Sequence, residues 1–207
     1  MNTRIRELLE EIRLREEQLA DILEQQQAAL SYRLDGTRVR FEESVRQAHQ
    51  RLKTGLLRWL WHSEWRNLAS APVIYPMIVP FLLLDAAVSF YQWTCFPLYR
   101  IKRVRRSAYI VIDRHRLSYM NSIEKLNCVY CGYVSGLLAY CREIVARTEQ
   151  YWCPIKHARK ILDPHKRYAR FSDFGDAAMH AQNRQEMRLA VRNITDEEDV
   201  SSARTGD

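Results

Sequence analysis

The sequence predicts a mainly α-helical chain, and three observations support this fold class. Apolar residues recur at helical spacing near the N-terminus, an uncharged apolar segment follows, and cysteines with metal-ligand spacing lie beyond it. We expect four parts in chain order: an amphipathic helical region over 1–66, a membrane-inserted segment with its basic flank over 67–106, a small metal-stapled helical domain over 107–180, and a flexible tail over 181–207.

Charge and cysteine content restrict the partners and the compartment. The 207 residues carry a net charge of +7, which favours an anionic partner such as lipid or nucleic acid. The first thirty residues are charged throughout, so we expect no cleavable signal peptide. Five cysteines suit a reducing compartment, where thiols stay available as metal ligands. Together these features predict that the Cys-rich part faces the cytosol.

The N-terminal region has the spacing of a coiled coil or a helical hairpin. The pattern steps by three and four residues through Ile5, Leu8, Ile12, Arg15, Leu19, Ile22, Gln26 and Ala29. Asp35 and Gly36 interrupt it, and it resumes from Phe41 to Leu60, which predicts two helices joined by a turn. We expect a protein partner or a homo-oligomer through these helices; an amphipathic helix packed on its own domain is the alternative.

The segment over 67–99 has the composition of a membrane-inserted helix. No charged residue occurs over 71–84, and apolar character continues after Asp85 to Tyr99. Tryptophan and tyrosine residues border the segment, as expected for rings at the level of the lipid headgroups. A buried core helix is the alternative interpretation.

Basic residues flank this segment on both sides, which predicts that both ends lie on the cytoplasmic face. That topology requires a Pro-broken re-entrant membrane segment, with the break between Pro80 and Asp85. The protein would then be monotopic. A single tilted span, with Asp85 neutral or paired in an oligomer, is the alternative.

A basic run follows the apolar segment. Near an anionic leaflet each charge contributes about 1 kcal/mol, so we expect the run to contact anionic lipid. Nucleic acid is disfavoured because the run directly adjoins the apolar segment and lacks interleaved aromatic residues. The predicted membrane-surface residues are Arg100, Lys102, Arg103, Arg105 and Arg106.

Cys128, Cys131, Cys153 and His157 form the pattern C-x2-C-x21-C-x3-H and are the predicted metal ligands. The first pair could clasp an ion from a backbone knuckle, and the second pair lies one helical turn apart. A closed Cys3His shell suits structural zinc; iron is the alternative, and Cys141 could replace His157 unless it is a small buried apolar residue. The helix predicted between the pairs covers about 27 Å, so the chain must fold back.

Two stretches around these cysteines resemble a known family. NCVYCGY over 127–133 and RTEQYWCPIKHA over 147–158 are similar to an uncharacterised family of bacterial, mainly proteobacterial, membrane-associated hypothetical proteins. The resemblance covers about residues 50–176. It implies a bacterial inner-membrane location and one unit that combines the membrane segment with the Cys-rich part, and it implies no activity.

Two functions from different classes follow from these features. The first is a cytoplasm-facing monotopic membrane protein with a structural zinc-type site that acts as a scaffold or adaptor. The alternative is a membrane-bound metalloenzyme or iron redox protein that acts on a lipid-soluble substrate, with acid–base groups near Asp113 and His115. The sequence assigns no catalytic residue, because it has no phosphate loop, nucleophile elbow or zinc-protease motif.

Overall fold

A computed structural model describes residues 3–29, 32–35, 38–41, 61 and 64–195. The mainly α-helical class is confirmed. The chain forms two compact units. The N-terminal unit comprises Met1–His62 with Asp113–Asn127, and the main unit comprises Ser63–Ile112 with Cys128–Asp207.

The N-terminal unit begins with a long helix, α1 (Thr3–Ala29). Two short antiparallel strands follow, β1 (Tyr32–Asp35) and β2 (Arg38–Phe41), with Tyr32 opposite Phe41. The chain therefore reverses near the predicted Asp35–Gly36 turn, but between strands rather than helices. The second predicted helix lies largely outside the described residues.

The main unit begins with a nearly continuous helical stretch. It consists of α2 (Trp65–Ile74), one 3-10 turn (Tyr75–Met77) and α3 (Ile78–Tyr99). The predicted break between Pro80 and Asp85 is wrong, because α3 continues through both residues. Pro80 lies in the first turn of α3, where a backbone N–H has no partner within the helix, so its missing donor costs little.

The chain reverses at the end of α3. Arg100 adopts a left-handed conformation with φ 58°, and the Ile101 N–H bonds to the Phe96 carbonyl at 2.8 Å, which closes the helix. Residues 100–112, which we name the return segment, then run back along α3 and include the short helix α4 (Arg106–Tyr109). The Val104 N–H, for example, donates to Gln92 Oε1 at 2.6 Å.

Helix α5 (Ser122–Trp152) is the longest element of the described chain. Asn121 and Glu124 cap its start reciprocally: Asn121 Oδ1 accepts from the Glu124 N–H at 3.0 Å, and Glu124 Oε2 accepts from the Asn121 N–H at 2.7 Å.

Contacts with α3 show how α5 is aligned in the main unit. Tyr133 Oη lies 2.8 Å from Asp85 Oδ2, and Gln92 Nε2 lies 2.8 Å from Tyr140 Oη. Further along, the stacked rings of Tyr99 and Tyr151 have centroids 5.1 Å apart. Residue numbers rise together along both helices, so α3 and α5 are parallel, and the return segment between them in sequence contacts both.

The last described helix, α6 (Ala177–Arg192), follows a 3-10 turn (Lys166–Arg170). Asp176 Oδ1 caps α6 by accepting from the Met179 N–H at 2.9 Å. Val191 and Ile194 are buried in the core with Phe96. The flexible tail predicted from residue 181 is therefore wrong as far as residue 194; residues 196–207 lie outside the described chain.

Gly136 allows the return segment to approach α5 closely. A Cβ atom at this position would lie 2.6 Å from the Tyr109 carbonyl oxygen and 2.8 Å from the Ile110 Cα. A Cβ atom on Gly132, one helical turn earlier, would lie 3.4 Å from the Val111 carbonyl oxygen, an ordinary contact distance. Only Gly136 is therefore required for this packing.

The two glycines give a matched pair of variants. We expect Gly136→Ala to lower the free energy of unfolding by about 1 to 3 kcal/mol, because backbone atoms must move apart. Gly132→Ala should have no effect or raise the free energy of unfolding by up to about 1 kcal/mol through helix propensity. Thermal unfolding of both variants in detergent measures the difference, and equal effects would contradict the close approach.

Candidate functional site

Helix α3 and the residues before it present an apolar surface to the exterior. The stretch Leu68–Tyr99 has a mean hydropathy of 2.0 over its most apolar 18 residues, and 6% of that window is buried. Among the described residues it is the one helix that is long and apolar enough to cross a membrane. Leu82 and Leu83 are 53% and 66% exposed, values that do not fit the buried core helix considered from sequence.

Asp85 is the one acidic residue within this apolar helix, and it is paired inside the chain. Its Oδ2 lies 2.6 Å from Arg106 Nη2 and accepts a hydrogen bond from Tyr133 Oη at 2.8 Å. Ser89 Oγ donates to Oδ1 at 3.2 Å. We name these four residues the Asp85 cluster. Because both carboxylate oxygens have partners, α3 passes through Asp85 without a break.

The basic run packs partly into the main unit instead of lying entirely at its surface. Arg106 is engaged by Asp85, and Ile101 and Val104 are each only 4% exposed. The Lys102 carbonyl accepts from Arg147 Nη1 at 2.7 Å. The side chains of Arg100, Arg103 and Arg105 are exposed, so lipid contact stays a prediction for those three.

The structure does not bring the four predicted metal ligands together. Cys128 and Cys131 lie inside α5, without the expected knuckle, whereas Cys153 follows the end of that helix. Cys153 lies 22 positions after Cys131, which corresponds to about 33 Å along a helix, far more than one ion can bridge. Cys141 is buried on the same helix.

His157 has a different neighbour from the one predicted. Its Nδ1 lies 3.2 Å from Tyr168 Oη, and the two rings stack with centroids 5.9 Å apart. Within the described ranges, no group of three or more Cys, His, Asp or Glu residues could hold a metal ion. The four predicted ligands do not form a Cys3His shell, and the binding of zinc or iron therefore stays a prediction.

A buried ion network joins α5 to the Lys166–Arg170 turn in the main unit. Glu143 Oε1 accepts from Arg147 Nε at 2.8 Å and from Arg167 Nη2 at 2.7 Å. The Arg147 side chain is fully buried. Gln150 extends the network: its Oε1 accepts from Arg167 Nη1, and its Nε2 donates to the Met187 carbonyl, both at 3.1 Å.

We name these residues, Glu143, Arg147, Gln150 and Arg167, the Glu143 network. Through the Lys102 and Met187 carbonyls it joins the return segment, α5, the Lys166–Arg170 turn and α6. Next to it, His165 Nε2 lies 2.8 Å from Glu149 Oε2. The only sequence signal for the network was the Glu143–Arg147 spacing of four residues, which also fits an exposed helix pair.

The charge of Glu143 depends on its arginine partners. Burial alone would raise the pKa of the Glu143 carboxyl, but the guanidinium groups of Arg167 and Arg147 outweigh burial and hold that pKa below its ordinary value. Glu143 is therefore charged at neutral pH and balances a fully buried cation.

The acid–base residues considered from sequence lie in the N-terminal unit. Asp113 precedes a 3-10 turn (Arg114–Arg116), which contains His115, and the Asp113 side chain makes no capping hydrogen bond. Neither residue is part of the Asp85 cluster or the Glu143 network.

Comparison with known proteins finds no matching family model, no matching curated protein and no matching solved structure. The resemblance of the two cysteine-containing stretches therefore stays a prediction.

The lowered pKa of Glu143 predicts a specific acid sensitivity. The carboxyl stabilises the fold at pH values above its unfolded pKa of about 4.3, and this contribution is lost as pH falls through the lower folded pKa. Glu143→Gln should lower the free energy of unfolding near pH 7 by about 3 to 5 kcal/mol, because Arg147 loses its counter-charge. Below about pH 4 the variant should lose less stability than the unmodified protein does, because it lacks the Glu143 carboxylate. Unfolding measured from pH 3 to pH 7 would contradict this if both proteins showed the same pH profile.

Proposed function

We propose that this chain is a membrane-anchored scaffold or adaptor. The observation that carries the proposal is the exposed apolar surface of the helix over Leu68–Tyr99. Only 6% of its most apolar 18-residue window is buried. Exposed apolar side chains at this density are unfavourable in water and favourable in a bilayer. The remainder of the main unit combines a small apolar core with the charged Glu143 network, as expected for a folded part that is displayed to water.

The cytoplasmic face of the bacterial inner membrane is the proposed location. The basic residues around the apolar segment support it, since such residues prefer the cytoplasmic side. Exposed Arg100, Arg103 and Arg105 suit anionic headgroups, each contributing about 1 kcal/mol when it lies near them. The free thiols and the family resemblance are consistent with this location.

Helix α1 is the proposed contact for a protein partner or a second copy of the chain. Ile12, Leu19 and Ile22 are each more than half exposed and keep the spacing of a coiled-coil seam. A partner helix packed against this seam would remove these side chains from water. The metalloenzyme alternative gains no support, because its predicted ligands lie apart.

The anchoring role is tested by Leu83→Lys, with Leu162→Lys as the matched control. Leu83 lies on α3, and Leu162 is a 91% exposed leucine in the loop after α5. A lysine inside the bilayer costs roughly 2.5 to 3.5 kcal/mol, whereas an exposed loop position tolerates it. We expect Leu83→Lys to reduce strongly the fraction of the protein that leaves the membrane only with detergent. Leu162→Lys should leave that fraction unchanged.

The fractions are separated by high-salt washing of membranes followed by extraction with detergent. Release of the unmodified protein by salt alone, or equal behaviour of the two lysine variants, would contradict the proposed anchor.

A further inference from the structure

We infer that the lipid-contacting part of the main unit consists of three packed segments instead of α3 alone. They are residues 67–93, residues 107–112 of the return segment, and residues 128–141 of α5. The occupant of their outer surface is lipid hydrocarbon. This inference rests on the proposed membrane anchoring and specifies which residues the bilayer surrounds.

The three segments are almost free of charged residues. Asp85, which is paired inside the chain, is the one Asp, Glu, Lys or Arg that they contain. The 27 residues of the first segment correspond to about 40 Å of helix, enough to span the roughly 30 Å hydrocarbon thickness of a bilayer. The 14 helical residues of the third correspond to about 21 Å. The contacts of Asp85 with Tyr133 and of Gln92 with Tyr140 place the third segment beside residues 80–93, so both helices can occupy the same apolar layer.

Side-chain contacts place the segments side by side. Tyr130 Oη donates to the Ile74 carbonyl at 3.3 Å, which joins α5 to α2. The rings of Tyr109 and Tyr140 have centroids 6.3 Å apart, and Gly136 lies against the Tyr109 and Ile110 backbone. Non-helical backbone is tolerated at membrane depth where protein covers it, and this close packing on α5 supplies such cover.

Charge is sorted along α5. Its uncharged part ends at Cys141, and Arg142 and Glu143 follow immediately. The Glu143 network and the contacts of α6 then involve residues 143–152. On α3, Asp85 is level with Tyr133, inside the uncharged part of α5, and its carboxylate is paired with Arg106. The charged half of α5 therefore begins nine residues beyond the level of Asp85.

Exposed apolar residues occur on all three segments, which is the reason for choosing lipid as the occupant. Leu83 is 66% exposed, Val111 56% and Leu138 50%. A protein partner would have to surround surfaces carried by three different segments, whereas acyl chains cover any apolar surface without a specific shape.

The test compares Leu138→Lys with Val145→Lys in the full chain. The two residues lie seven positions apart on the same face of α5 and are 50% and 57% exposed, but only Leu138 falls in the uncharged part. We expect Leu138→Lys to reduce membrane insertion on the order of a hundredfold, as Leu83→Lys does, and Val145→Lys to change it by less than about twofold.

The outcomes separate this inference from the proposed anchor. If Leu83→Lys reduces insertion but Leu138→Lys behaves like Val145→Lys, the anchor stands and the three-segment inference is overturned. If neither Leu83→Lys nor Leu138→Lys has an effect, both are overturned.

A second measurement avoids dependence on the folding of a lysine variant. The photoreactive residue benzoylphenylalanine replaces Leu138 or Val145, and the full chain is reconstituted in vesicles of phosphatidylethanolamine and phosphatidylglycerol. The inference predicts lipid adducts at position 138 and a yield several-fold lower at position 145. Equal lipid yields, or adducts at position 138 only to a second protein chain, would overturn it.

Discussion

The ion pair between Asp85 and Arg106 is the contact on which the arrangement of the main unit depends. It allows an apolar helix to continue through an acidic residue, because the carboxylate meets a guanidinium group at 2.6 Å. It also fixes the return segment against α3, and Tyr133 adds α5 to the same carboxylate. One buried charge therefore connects the three segments that we propose to contact lipid.

A second buried carboxylate, Glu143, has the corresponding role in the charged half. Arg147 is fully buried and Arg167 comes from a separate turn, so the network joins parts of the chain that are distant in sequence. A buried ion pair does not by itself add stability over apolar packing, but losing one partner is costly. The two halves of the unit thus depend on the same kind of contact, formed in different surroundings.

The sequence allowed the helical class, the apolar segment and the α1 helix to be predicted, because each produces a regular pattern over many residues. A backbone knuckle was predicted where the structure has a helix, because C-x2-C is compatible with a knuckle and with one turn of a helix, and nothing local distinguishes them. Arg106, the ion-pair partner of Asp85, is 21 residues away from it, and Arg167, the more distant arginine on Glu143, is 24 residues away. Such pairs become visible only when the fold is known.

The most direct test of this account is a double-mutant cycle on Asp85 and Arg106, measured as the free energy of unfolding of the full chain in detergent. We expect Asp85→Asn and Arg106→Gln each to lower it by about 1 to 3 kcal/mol. The double variant should cost clearly less than the sum, with a coupling energy of about 1 to 3 kcal/mol. Additive effects, with no coupling between the two positions, would contradict the account.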